Sequence, residues 1–219
     1  CFAIGQIPSG SKDPLALRRA GAGIVRIFWE KGWTMSPIEL SHMALKNLGE
    51  RATRPESDTL EALESFFRDR VSYQLEVAGY AGAVRRSALL VGWTDLVDLK
   101  ARCEALSSFA EDPRFASLGQ SAKRIANILK DEAPSEALDT SKLQENEEKI
   151  LAGLLSSLES ATDHAALLAG LAELSTPLED FFTAIMVKCE DPALRAARVS
   201  LLYRLRRTFL RVADFSQWQ

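Results

Sequence analysis

Between Ala193 and Ala213 the sequence places six arginines (Arg195, Arg198, Arg204, Arg206, Arg207 and Arg211) and no acid, in a chain whose net charge is -3. So dense a cationic run can join a core only as a helix with its apolar residues gathered on one side. Its start is well marked. Asp191 can accept hydrogen bonds from the first free backbone amides, and Pro192 suits the first helical position, where its missing N–H costs nothing. At about 100° per residue Leu194, Leu201, Leu202, Leu205, Phe209 and Val212 share one face, which is therefore predicted to be buried. The arginines then divide by angle: Arg204, Arg207 and Arg211 point away from the stripe, Arg195 and Arg206 border it, and Arg198 lies within it. An unpaired buried guanidinium is costly, so Arg198 needs either an internal carboxylate or carbonyls, or a phosphate or base from outside.

The rest of the chain repeats the helical period, and no stretch alternates as a strand would. Residues 1–13 read as a loop. Gly5, Gly10, Ser11 and Lys12 fall short of a phosphate loop, because Ser11 separates glycine from lysine and no strand precedes. Asp13 and Pro14 are expected to open a helix that Gly32 ends, and Ser36 and Pro37 one that runs to Leu48. After a polar loop at 49–58, Leu60, Leu63, Phe66, Phe67, Val71 and Leu75 make Thr59–Val77 amphipathic. Ala83–Val91 forms a further short helix, and Gly92 marks the boundary between a smaller helical unit, 1–92, and a second unit, 93–219.

In the second unit Thr94 is expected to cap a helix burying Leu96, Leu99, Cys103 and Leu106. A loop at Glu111–Phe115 leads to a helix over Gln120–Lys130, with Ala122, Ile125, Ala126 and Leu129 inward. There Lys123, Asn127 and Lys130 align at i, i+4 and i+7, with Arg124 further round. Two lysines and an amide in line suit phosphate and base contacts, and suit a plain solvated face equally well. Residues 131–149 are acid-rich; they read as a loop and then a helix capped by Thr140 or Ser141, and should repel RNA, placing any binding face elsewhere. Helices over 142–158 and 163–173 follow, then one from Pro177 to Val187 that turns Phe181, Phe182, Ile185 and Met186 inward. The fold class is all-α, a helical bundle.

Several chemistries find no support. No apolar run approaches the ~20 residues of a membrane span. His42 and His164 are isolated, and Cys1, Cys103 and Cys189 form no CxxC pair, so neither a nucleophile with its base nor a metal-ligand spacing is visible. The odd, scattered cysteines suit a reducing cytosol. The chain starts at Cys1, which fits a piece of a longer protein.

Three stretches carry a resemblance. Pro177–Trp218 resembles the end of the bacterial glycyl-tRNA synthetase beta subunit family, a helical anticodon-binding domain named for its Asp-Ala-Leu-Arg (DALR) signature and shared with arginyl-tRNA synthetases. Here the signature reads Asp191-Pro192-Ala193-Leu194-Arg195, with a proline inserted. Ala197 stands where many relatives have asparagine, so a role for that amide does not carry over. Gln120–Lys130 also resembles that domain, and Ser9–Arg19 resembles the segment just downstream of the family's HD-type domain. The resemblance implies that the HD histidines and aspartates precede Cys1. It also implies that 1–92 is the tail of the HD-type region with its connector, and that 93–219 is the DALR-type domain.

By the same resemblance the chain takes part in glycine-tRNA ligation in the bacterial cytoplasm, with tRNA(Gly) and a separate alpha subunit as partners and without DNA or membrane. ATP and magnesium are used by the alpha subunit, and no cofactor or catalytic residue is expected here. Expected tRNA contacts are Lys123, Arg124, Asn127 and Lys130 on one helix and Arg195, Arg198 and Arg206 on the last, with Trp218 either stacking on a base or closing the core. A helical scaffold whose cations pair with its own acids is the contrasting reading; a DALR domain of an arginyl-tRNA synthetase is a third, against which the Ser9–Pro14 stretch counts.

Overall fold

The computed structural model describes residues 1–218 and contains, among them, ten α-helices and no strand. They are α1 (Leu17–Lys31), α2 (Pro37–Leu48), α3 (Glu56–Val77), α4 (Gly82–Val91), α5 (Leu96–Phe109), α6 (Pro113–Leu129), α7 (Asn146–Glu159), α8 (His164–Glu173), α9 (Ser175–Ala184) and α10 (Pro192–Phe209). The chain divides into two compact units whose segments interleave. One comprises Cys1–Arg85 and Gly92–Cys103, the other Arg86–Val91 and Glu104–Gln219.

In the first unit α1 and α2 both pack on α3. Gly21 makes the α1 contact possible: a Cβ there would stand 2.7 Å from the Phe66 ring. The expected loop at the start holds a 3-10 turn, Phe2–Ile4, whose Phe2 ring meets Phe66 edge-on at 5.0 Å. The Ala3 carbonyl accepts from Thr53 and Arg54 N–H, both at 2.9 Å, so this stretch joins the core. Trp29 Nε1 donates to the Leu96 carbonyl at 2.9 Å.

Aspartate followed by proline does not act alike at its three occurrences. At α10 it works as expected: Asp191 accepts from Ala193 and Leu194 N–H at 2.9 and 3.2 Å, with Pro192 in the first turn. Asp112 and Pro113 do the same for α6, which therefore starts within the stretch expected to be a loop. Asp13 accepts from Leu17 and Arg18 N–H, the first amides of α1, but the N-cap is Ala16, and both Asp13 and Pro14 lie outside the helix. The chain first makes a turn, with Ala16 at φ 52°, and Leu17 begins the helix.

Other boundaries move for similar local reasons. Asp95, not Thr94, accepts from the first amides of α5, its carboxylate reaching Val97 and Asp98 N–H. Thr140 and Ser141 begin only a 3-10 turn, and α7 starts at Asn146 behind a capping box of Glu145 and Glu148. α9 stops at Ala184, so Met186 is 75% exposed instead of inward, while Phe181, Phe182 and Ile185 are buried.

In the second unit α6 packs against α8, α9 and α10, and α7 against α8, α9 and α10. The 3-10 turn Phe215–Gln217 closes over α6: the Phe115 and Phe215 rings lie 5.7 Å apart, and Trp218 stands 6.1 Å from each. Of the two expectations for Trp218, the core-closing one describes its place. All six residues of the predicted α10 stripe are buried.

Candidate nucleic-acid interface

On α6, Ile125 and Leu129 are buried and Ala126 half-buried, which turns the opposite side of the helix outward. Lys123 is half-buried, Asn127 and Lys130 are exposed, and none of the three has a side-chain partner among the described residues. Arg124 differs from them. Its guanidinium carbon lies 4.3 Å from the centre of the Phe182 ring, and Nη2 donates to the Phe182 carbonyl at 3.3 Å, so it ties α6 to α9.

Of the six arginines on α10 and the turn that follows it, five are engaged by the chain's own groups. Arg198, 6% exposed, donates from Nε to Glu148 Oε1 and from Nη1 to the Met186 carbonyl at 2.9 Å. Glu148 is fully buried, and its other oxygen accepts from Gln144 and Glu145 N–H at 2.6 and 3.0 Å. A buried ion pair recovers its desolvation cost only when its remaining polar atoms are also satisfied, and these backbone bonds do so. Arg195 Nη2 donates to Glu132 Oε1 at 2.6 Å, Arg204 grips Glu159 with two nitrogens, and Arg207 lies 2.7 Å from Glu136. Arg211 donates to the Leu158 and Ala161 carbonyls at 3.0 and 2.5 Å. Arg206 is exposed and has no side-chain partner among the described residues.

The expected site residues therefore do not form one cluster. Lys130 ends α6, and Glu132 just beyond it draws in Arg195 and, at 3.6 Å, Lys188. Hydrogen bonding to Arg195, with the charge of Lys188 beside it, holds the Glu132 carboxyl below the usual range. Arg206 stands about 16 Å further along the α10 axis. Arg124 and Arg198 are tied into the fold.

The acids that take up the arginines, and Lys188, were not singled out from sequence. Glu148 could have been, because it shares the period of Leu151, Leu155 and Leu158 and so marks an acid on a buried stripe facing a helix with a base on its own. Lys188 lies in the irregular stretch between α9 and α10, where no periodicity speaks. Among the described residues no group of three or more His, Cys, Asp or Glu could hold a metal ion, and no helix is long and apolar enough to cross a membrane. His42 Nδ1 lies 3.4 Å from Glu56, both well exposed.

Chemically, α6 offers two ammonium groups beside an amide that can both donate and accept, with Arg206 apart on α10. Comparison with known proteins narrows the field. A family model described as glycyl-tRNA synthetase beta subunit matches residues 1–89. The glycine–tRNA ligase beta subunits of Psychromonas ingrahamii and Methylobacillus flagellatus are each 38% identical to this chain, over 98% and 99% of it. That of Geobacter metallireducens is 36% identical over 99%. The chain spans about a third (32%) of the length of these relatives. With nearly the whole of it aligned to the same proteins, the chain belongs to the glycyl-tRNA synthetase beta subunit family.

Proposed function

We propose that this chain is the tRNA-binding, C-terminal part of a glycyl-tRNA synthetase beta subunit, and that its second unit holds the anticodon region of tRNA(Gly). The observation that carries this reading is the open stripe of α6. Lys123, Asn127 and Lys130 share one side of a helix whose other side is buried, and none is engaged within the described chain. Anticodon bases are single-stranded, so the lysines would neutralise phosphates while the Asn127 amide meets an unpaired base edge. Arg206 would add a contact from α10 and Arg195 one beside Lys130. Arg198 and Arg124 would act through position, by holding α10 to α7 and α6 to α9.

In this reading residues 93–219 are the DALR-type domain, and 1–92 the end of the HD-type region with its connector. The ATP- and magnesium-dependent activation of glycine belongs to the alpha subunit, which the longer beta chain engages in the bacterial cytoplasm. The internal engagement of four α10 arginines and of Arg211 just beyond the helix favours a second reading, a helical scaffold that binds no RNA.

Affinity for tRNA(Gly) and for an anticodon-swapped tRNA at two salt concentrations separates the two. The anticodon reading expects a preference for the glycine anticodon, binding that weakens steeply with salt, and loss of the preference in Lys123→Ala and Asn127→Ala. Equal, negligible binding of both tRNAs would favour the scaffold.

A further inference from the structure

Residues 131–139, the first part of the acid-rich stretch expected to repel RNA, lie along α10 itself. Glu132, with its side chain 11% exposed, takes Arg195 and Lys188 and anchors the segment at one end. Further on, Glu136, Ala137 and Leu138 form one bank of a groove of about 510 Å³, whose other side is lined by Arg204, Arg207, Thr208 and Arg211, with Glu159. Val199 and Ser200, off the apolar stripe of α10, are nonetheless 3% exposed and line a second groove with Glu132 and Pro134. The segment thus follows the helix from Arg195 to Arg207, about 18 Å along its axis.

The groove's three guanidinium groups are held differently. Arg204 is fixed by both oxygens of Glu159, and Arg211 by the carbonyls at the end of α7. These two are already placed, with no side-chain ordering left to be done. Among the described residues Arg207 is paired only with Glu136, and the two side chains are 54% and 72% exposed. Ion pairs so open to water contribute little, so Glu136 can be exchanged for another anion at small cost. With three guanidinium groups against two carboxylates the groove keeps a net positive charge, and the arginine fork takes phosphate oxygens in the same two-bond geometry as a carboxylate.

We propose that this groove is a contact site for the phosphate backbone of RNA, separate from the α6 stripe, and that Glu136 fills it until the RNA displaces it. The inference rests on the reading that the second unit binds tRNA. It adds Arg204, Arg207 and Arg211 to the surface, and it makes the acidic segment a built-in competitor that discourages weak, non-specific polyanions.

The test measures tRNA(Gly) and anticodon-swapped tRNA binding to the whole chain as parent, Glu136→Gln, Arg207→Gln and the double variant, with circular dichroism to confirm folding. Glu136→Gln should raise affinity about two- to fivefold for both tRNAs, the range that an exposed ion pair can supply. Arg207→Gln should weaken binding, lower the slope of log affinity against log salt by about 0.7, and abolish the gain from Glu136→Gln. No gain in Glu136→Gln, or a gain that survives in the double variant, overturns the proposal. So does binding of poly-glutamate to Glu136→Gln as tight as that of tRNA, which would make the groove a site for acidic peptides. If the parent prefers the glycine anticodon and Glu136→Gln gains nothing, the groove alone falls. If the gain appears without any anticodon preference, the groove stands and the anticodon reading falls. If no variant binds tRNA, both fall.

Discussion

α6 and α10 carry similar cations and use them in opposite ways. On α6 the lysines and Asn127 have no hydrogen-bond or ion-pair partner for their side chains among the described residues, and Arg124 alone of the four is tied down, on Phe182. On α10 all but one of the arginines are held by carboxylates or carbonyls of the same unit. The difference follows from chemistry as well as position. A guanidinium offers five donors in a fixed plane and can satisfy two partners at once, as Arg198 does, whereas an ammonium on a flexible stem loses more by being pinned. The more basic helix is therefore the less available one, and a count of charges does not measure a binding surface.

The comparison breaks most visibly at Arg198. Arg198→Ala leaves Glu148 buried and unpaired, and should cost about 3–5 kcal/mol in denaturant unfolding. Replacing both partners by apolar residues, as in Arg198→Met with Glu148→Leu, should recover most of that loss. A cost for Arg198→Ala below about 0.5 kcal/mol, the level of an ordinary surface change, would mean that the pair does not hold α10 in place.

The start of α10 should show a smaller effect. Asp191→Ala removes an acceptor for two backbone amides and should cost about 1 kcal/mol, with Asp191→Asn retaining most of the stability. The α6 stripe should behave the other way round. Lys123→Ala and Lys130→Ala should leave unfolding within about 0.5 kcal/mol of the parent while each lowers the salt slope of tRNA binding by about 0.7. If the slope stays put, α6 is a solvated face and the contrast with α10 loses its functional meaning.

The smallest effect concerns pH. Hydrogen bonding to Arg195 depresses the Glu132 carboxyl, so its contribution is fully present above the ordinary carboxylate value and is lost as pH falls through the lowered one. Acidification should thus loosen the 131–139 segment from α10 before global unfolding, seen as faster amide exchange there, and Arg195→Met should move that loosening to higher pH.

Much of this was legible in sequence. The stripe of α10, its Asp191 and Pro192 start and the odd placement of Arg198 all follow from a 3.6-residue period, which reports burial directly. The partner of Arg198 was not read, although Glu148 sits on the α7 stripe, because pairing two stripes requires knowing which helices meet. The path of residues 131–139 was not read, for a related reason. Acid-rich composition predicts repulsion from RNA, but it equally predicts attraction to the nearest arginines, and only the fold says where those are. At Asp13 and Pro14 the local signal found an acceptor for the first amides of the helix but set its start too early, since Ala16 takes a turn before the helix begins.

The interleaving of the two units bears on how the protein can be made and dissected. Residues Arg86–Val91 belong with the second unit, where the Ser87 carbonyl accepts from Asp214 N–H at 3.0 Å, while Gly92–Cys103 returns to the first. No single cut of the chain yields two whole units: a truncation at Gly92 strips the second of Arg86–Val91 and the first of Gly92–Cys103. During synthesis Arg86–Val91 must wait for the end of the chain before its own neighbours exist. Shortened variants meant to isolate the second unit should therefore begin before Arg86, and a fragment beginning at Trp93 should be judged by its folding before any failure to bind is given weight.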